Sequence, residues 1–166
     1  MTVTVATNLA DALAALRATP DARLLQGGTD TMVEINFNHY KPEHIVALRK
    51  VQELRSYLIQ EEKGLIFIGS GVPYQTLEND PFLTLLPALA QASRTVGSPQ
   101  IRAAGSLGGN LGTCSPAGDG LPVLSALDAT VHLQSVDTSR DVLIHDFMVG
   151  VKKNARKPDE IITGVT

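Results

Sequence analysis

Tryptophan is absent from the sequence and aromatic side chains make up only 4% of its 166 residues, so the chain lacks the stacking platforms of a single-strand nucleic-acid binder. The single cysteine, Cys114, excludes an internal disulfide and leaves no thiolate set for a zinc site or an iron-sulfur cluster within the chain. Any such centre belongs to a partner. His39, His44, His132 and His145 show no His-x-x-x-His spacing and read as surface or partly packed residues, so no metal site is expected. A net charge of -3 gives no general electrostatic reason to bind nucleic acid or an acidic membrane. No apolar run approaches the ~20 residues of a membrane span, and no basic segment followed by an apolar one opens the chain. A cytoplasmic location is the resulting expectation.

What is present describes a globular protein, 43% hydrophobic and 19% charged, long enough for one domain or two small lobes with a shared interface. Thr2 to Val5 is a β-branched run, and Thr7 or Asn8 caps a helix over Leu9 to Ala18, whose Leu9, Ala12, Leu13 and Leu16 share a face. Ala22 to Gln26 reads as a strand, Thr31 to Asn38 as a helix ended by Pro42, and His44 to Leu48 as a further strand. This β-α-β-α-β rhythm predicts a small parallel unit with right-handed crossovers. Beyond residue 55 the rhythm changes. Tyr57 to Glu61 and Leu65 to Gly69 read as an antiparallel hairpin turning at Lys63-Gly64, Tyr74 to Asn79 as a helical turn, Pro81 to Leu86 as a connection, and Pro87 to Val96 as a helix. A buried helix over Pro122 to Leu127, strands over Thr130 to Gln134 and Asp141 to Ile144, an irregular lysine-rich segment from Asp146-Phe147, and a strand beginning near Ile161 complete the pattern. The expected division is an N-terminal lobe, 1–55, and a second α+β lobe, 56–166, of one unit.

Two glycine-rich stretches carry the candidate site. Arg102-Ala-Ala-Gly-Ser-Leu-Gly-Gly-Asn-Leu-Gly-Thr-Cys-Ser-Pro-Ala-Gly-Asp119 holds five glycines, and Leu24-Leu-Gln-Gly-Gly-Thr-Asp30 runs from a strand through Gly-Gly to a helix start. Glycine lets a ligand approach the backbone, and successive free N-H groups form a concavity that attracts oxygen anions. An isolated Gly108-Gly109 would read as a tight turn; a second stretch of the same kind favours a ligand. A cleft between the lobes would bring the two face to face.

A diphosphate suits the first stretch, because a strand ending in Gly-Gly before a helix aims N-H groups and the positive helix end at one point. There is no Gly-Lys-Ser or Gly-Lys-Thr for a P-loop, no third glycine for Gly-x-Gly-x-x-Gly, and no Gly-x-Ser-x-Gly elbow around Ser106 or Ser115. Cofactor binding without a catalytic side chain is the economical reading.

The succession Leu24-Leu-Gln-Gly-Gly-Thr-Asp30, Val96-Gly-Ser-Pro-Gln-Ile-Arg102, Gly105-Ser-Leu-Gly-Gly-Asn-Leu111 and Ser115-Pro-Ala-Gly-Asp119 resembles the FAD-binding subunit or domain of the molybdenum hydroxylases, such as xanthine dehydrogenase and the carbon monoxide dehydrogenase medium subunit. Asp146-Phe147, Gly150, Lys152 and Pro158-Asp-Glu-Ile-Ile162 extend the resemblance over essentially the whole chain. It implies an α+β, two-lobed FAD-binding fold, with a small parallel βαβ lobe followed by a larger mixed lobe with an antiparallel sheet. Carried over by position, Leu24, Leu25, Gln26, Gly27, Gly28, Thr29 and Asp30 would hold the pyrophosphate and nearby ribose, with backbone amides of Gln26 to Thr29 as donors. Ser106, Leu107, Gly108, Gly109 and Asn110 would form the second wall, Asp119 would contact the adenosine side or order its loop, and Val96 and Ile162 would pack near the flavin. Cys114 would be a small packed residue near the cofactor.

The implied function is an FAD-binding electron-transfer subunit in a hetero-oligomer with an iron-sulfur subunit and a large molybdopterin subunit, passing electrons to NAD or another acceptor. Ala103, Ser106 and Leu107 stand where relatives often carry asparagine, threonine and isoleucine, and the relatives' usual C-terminal domain is expected to be absent. A flavin-free docking subunit with the same architecture is the alternative. An enolpyruvyl-sugar reductase-like flavoenzyme is disfavoured by the Ser115-Pro-Ala-Gly-Asp119 match.

Overall fold

The structure, a computed structural model, describes residues 1–166. Its first sheet is parallel, with strands β1 (Thr2–Val5), β2 (Arg23–Leu25) and β3 (His44–Ala47) in the order β1-β3-β2. Val3 and Leu24 lie opposite Ile45 and Val46 respectively. Helix α1 (Leu9–Ala18) is capped by Asn8, whose side chain accepts from the Asp11 amide, and it buries Ala12, Leu13 and Leu16. These pack with Ala6, Ala22, Val46, Leu48, Val51 and Leu54 into the smaller of two cores. Helix α2 (Thr31–Asn36) has only Thr31 fully buried, because its apolar residues follow no single helical stripe.

The second sheet is antiparallel and five-stranded, in the order β4 (Tyr57–Gln60), β5 (Leu65–Gly69), β10 (Ile161–Val165), β6 (Thr130–Gln134), β7 (Ser139–Leu143). The hairpin between β4 and β5 turns through a 3-10 segment, Glu61–Lys63, and Gly64 at φ +61, a longer turn than Lys63-Gly64 alone. The inner face of this sheet packs on helices α3 (Tyr74–Leu77), α4 (Phe82–Leu85), α5 (Pro87–Thr95), α7 (Leu107–Thr113), α8 (Gly120–Ala126) and α9 (Ile144–Phe147), while α6 (Pro99–Ala104) lies against α3. Two sequence expectations need correction. The segment taken as a connection contains α4, fixed by the fully buried Phe82 whose ring meets Tyr57 edge-on at 4.9 Å. The lysine-rich segment opens on the last residues of α9 and holds a small hairpin, β8 (Met148–Gly150) with β9 (Lys153–Asn154). The long glycine-rich stretch holds the end of α6 and all of α7, joined at Gly105-Ser106.

The last strand, β10, is central. Successive side chains of a strand face opposite ways, so Ile161 enters the small core while Ile162 enters the large one, and a bulge between Ile162 and Gly164 readjusts the register with β6. Just before it, buried Glu160 accepts from Arg140 Nε at 2.7 Å and Nη2 at 2.9 Å, and from the Lys157 amide at 2.7 Å. The paired Arg140 holds the Glu160 carboxyl below its ordinary value, with the Lys157 contacts adding to it and burial opposing.

Replacing this carboxylate by an amide, Glu160→Gln, is expected to cost about 2 kcal/mol at neutral pH. Because the folded pKa is depressed, the stabilisation is complete above the unfolded value of ~4.3 and is lost as pH falls through the folded value. Thermal melts of the two proteins should therefore differ at pH 7 and converge at strongly acid pH; a constant gap across that range would contradict the assignment.

Candidate functional site

Strand β2 ends at Leu25, and Gln26 to Asp30 turn the chain into α2. Gly28 stands at φ +74, a conformation that a side chain would strain. None of the five backbone amides from Gln26 to Asp30 donates to an acceptor in the protein. Successive N-H groups left open in a turn form an anion-binding concavity. A six-residue helix adds little dipole to it, so the loop amides rather than the helix end expected from sequence carry the attraction.

The opposing wall is α7. Ser106 caps it, its Oγ accepting from the Gly109 amide at 3.2 Å, and the Gly108 amide donates to the Ser70 carbonyl at 3.1 Å. Gly108, Gly109 and Gly112 weaken this helix by roughly 0.5–1 kcal/mol each relative to alanine. Burying the Leu107 and Leu111 side chains, one turn apart, contributes roughly 1.5–3 kcal/mol each. Tertiary anchoring therefore wins over local propensity, which is why the helix was not legible as one.

The two walls meet where glycine removes the side chain. A Cβ on Gly27 would lie 1.9 Å from the Ala104 carbonyl oxygen at the end of α6, and one on Gly108 would lie 2.4 Å from Ser70 Cβ. Between them opens a cleft with room for about 130 Å³ inside its walls, open to solvent on one side. It gathers Leu24, Leu25, Gln26, Gly27, Gly28, Thr29 and Asp30 from the first stretch, Ser106, Gly108, Gly109 and Asn110 from the second, and Ile162 from β10. Three candidates stand elsewhere. Leu107 is buried in the large core, Val96 packs against that core, and Asp119 lies exposed at the start of α8. Cys114 is also outside the cleft: it is buried, its Sγ 3.8 Å from the Gly150 carbonyl, and burial pushes its thiol pKa up. Sequence reasoning missed Ser70, Arg23 and Arg156 as lining residues. The signal for Ser70 was present in Gly69-Ser-Gly71, a third glycine-bounded turn directly after a strand; Arg156 has no such mark.

Arg23 and Arg156 are among the residues that line the cleft. Burial lowers the Arg156 pKa, Glu160 opposes that, and the Arg23 charge lowers it further. Arg156 Nη1 donates to the carbonyls of Lys157, Pro158 and Glu160, while Arg23 reaches Glu34 at 3.4 Å. On the other side Tyr74 donates its hydroxyl to Asn110 Oδ1, and its phenol pKa is raised by burial, with the charges of Asp119 and Asp30 adding. Gln26 differs from all of these: its Oε1 is shielded from water and has no partner in the protein. An orphaned acceptor of this kind costs about 1–3 kcal/mol.

The sequence matches the FAD binding domain in molybdopterin dehydrogenase over residues 1–166. The chain belongs to this FAD-binding family. It is 42% identical over 146 residues to the nicotinate dehydrogenase FAD-subunit of Eubacterium barkeri, covering 86% of this chain and 49% of that one. With the putative xanthine dehydrogenase FAD-binding subunit of Escherichia coli K12 it shares 34% identity over 158 residues, 95% of this chain and 54% of the other. The fold superposes on quinoline 2-oxidoreductase from Pseudomonas putida 86 with a TM-score of 0.93 at 25% identity, covering 99% of this chain and 57% of that one. The chain thus spans about half the length of the curated relatives it matches. The two-sheet α+β architecture agrees with the fold that the resemblance implied. The family's cofactor, FAD, fits the cleft by its chemistry: open amides and two lining arginines suit an anionic diphosphate, and backbone stands uncovered at the glycines.

Because the atoms facing Gly27 are backbone, Gly27→Ala must move α6 away from the loop. Overpacking of this kind is expected to destabilise the FAD-free protein by about 1–3 kcal/mol. Urea titration checks this: the midpoint should fall well below that of Gly64→Ala, where a Cβ meets nothing within 4 Å and only the positive φ is strained. Equal midpoints would mean that the two walls are not pressed together.

Proposed function

We propose that this chain is the FAD-holding unit of a molybdopterin-dependent hydroxylase or dehydrogenase, an oxidoreductase in which it relays electrons from iron-sulfur clusters on a partner subunit to an external acceptor. The observation that carries the cofactor assignment is the run of five open amides in a loop that lines one cleft together with a glycine-rich helix. The assembly follows from the kinship: the relatives are named as FAD subunits, and this chain offers neither a thiolate set nor a cluster of metal-ligating side chains for an iron-sulfur centre of its own. The partners are accordingly an iron-sulfur subunit and a large molybdopterin subunit, with NAD as a candidate acceptor.

Bound FAD supplies the redox chemistry, and the protein supplies position and electrostatics. Amides of Gln26 to Asp30 donate to the diphosphate, while Arg23 and Arg156 balance its charge. Residues 1–55 and 56–166 act as the two lobes of this one FAD-binding unit. Ser106, Gly108, Gly109 and Asn110 form the facing wall, and Ile162 supplies apolar contact from β10. Leu24 and Leu25 set the entry of the loop. Leu107 serves from behind, by anchoring α7. No side chain is required as an acid, base or nucleophile.

Gel filtration of the protein mixed with FAD tests the assignment: yellow protein freed of unbound cofactor supports it, and colourless protein contradicts it. Gly109→Leu separates binding from folding. A Cβ at Gly109 meets only Ser106 Oγ, at 3.5 Å, and otherwise projects into open space along the cleft. The dissociation constant for FAD should rise at least ~10-fold, while the FAD-free melting temperature stays within ~2 °C of the parent or rises.

A further inference from the structure

Tyr74 is a core side chain whose one polar atom reaches towards the cleft. It opens α3 with its ring fully enclosed in the large core, and its amide donates to the Gly105 carbonyl at 3.0 Å, beside the bridge between Pro73 and Ser106. Gly120 leaves room for the hydroxyl: a Cβ there would stand 3.0 Å from the phenol oxygen. That hydroxyl makes one hydrogen bond, to Asn110 Oδ1, and Asn110 stands on α7 among the residues that line the cleft. Burial, with the charges of Asp119 and Asp30 adding, raises the phenol pKa, so the group stays protonated and donates. A carboxamide has one accepting end and one donating end. With Oδ1 turned inward to Tyr74, Nδ2 is the end left over; it has no partner in the protein and is not shut off from water. Phenylalanine would fill the same core without a buried hydroxyl to satisfy.

We propose that Tyr74 is a positioning residue for FAD, its hydroxyl holding the Asn110 carboxamide so that Nδ2 donates to an oxygen acceptor of the dinucleotide. The inference rests on the FAD assignment and deepens it. FAD offers such acceptors in its phosphates, its hydroxyls and its ring carbonyls. An unheld carboxamide turns about its terminal bond and presents its donor end for part of the time, so fixing it falls as a cost on binding. Tyr74 removes that freedom before the ligand arrives, from a side chain that is itself enclosed and does not line the cleft. Its effect on FAD should therefore depend on the presence of the Asn110 side chain.

A double-mutant cycle tests it, with Tyr74→Phe and Asn110→Ala made singly and together and FAD titrated into each FAD-free protein. Asn110→Ala is expected to raise the FAD dissociation constant ~10-fold and Tyr74→Phe to raise it ~5-fold. In the Asn110→Ala background Tyr74→Phe should change it less than ~2-fold, because the group it acts through is gone. A tyrosine that served the core alone would weaken binding by the same factor in both backgrounds. Melting of the FAD-free proteins reads the hydrogen bond itself. Tyr74→Phe should lower the melting temperature of the parent, where the bond is lost, and raise it in the Asn110→Ala background, where the phenol is left without a partner. The inference is overturned if either single substitution leaves FAD affinity within twofold of the parent. It is equally overturned if the effect of Tyr74→Phe on FAD is undiminished without the Asn110 side chain, or if the two melting shifts have the same sign. Should Tyr74→Phe not fold, Asn110→Ala alone decides by the same twofold limit. A parent protein that retains no FAD refutes the functional assignment itself, and this inference with it.

Discussion

The site depends on two close approaches of backbone that only glycine permits. At Gly27 the backbone of the loop after β2 is pressed against the Ala104 carbonyl at the end of α6, and at Gly108 helix α7 lies similarly close to Ser70. Any larger residue at either place would need the backbone beside it to move. These approaches set the distance across the cleft before a ligand arrives, and they explain why glycine recurs in the stretches that bound it. The glycines weaken the local elements they occupy, and the structure compensates by burying the leucines of α7 beneath them.

Much of this was legible in the sequence, for identifiable reasons. The β-α-β-α-β opening carries strong local signals, an Asn8 cap, a leucine stripe on α1 and breaks at Pro20 and Pro42, and local signals suffice where an element is short and its cap is present. The hairpin of β4 and β5 was likewise bounded by turn residues. Helix α7 was hidden because its stability comes from Ser106, Ser70 and two buried leucines rather than from its own composition. Helix α4 was hidden because a single side chain, Phe82, decides it.

For the candidate site, the pattern of residue types found the two facing backbones but not every side chain between them. Leu107 shares a motif with lining residues without lining the cleft itself, since a motif fixes backbone course and a side chain follows its own face of the helix, while the motifs that hold Val96 and Asp119 contribute no residue to the cleft. Arg156 is brought in by the segment between β9 and β10, whose path is set by the carbonyls that its guanidinium gathers and by Glu160. No local pattern announces a long-range arrangement of that kind. Gln26 shows the reverse case, where the sequence named the residue for its amide and the packing drew attention to its side chain.

Strand β10 places Ile161 in one core and Ile162 in the other. Adjacent residues of one strand cannot leave their separate cores independently, so loosening either lobe pulls on the other. The slowest-exchanging backbone amides of the protein are then expected to run through β10 into both sheets as one cooperative block, with no hinge between the lobes, and the cleft behaves as a rigid receptor rather than a jaw.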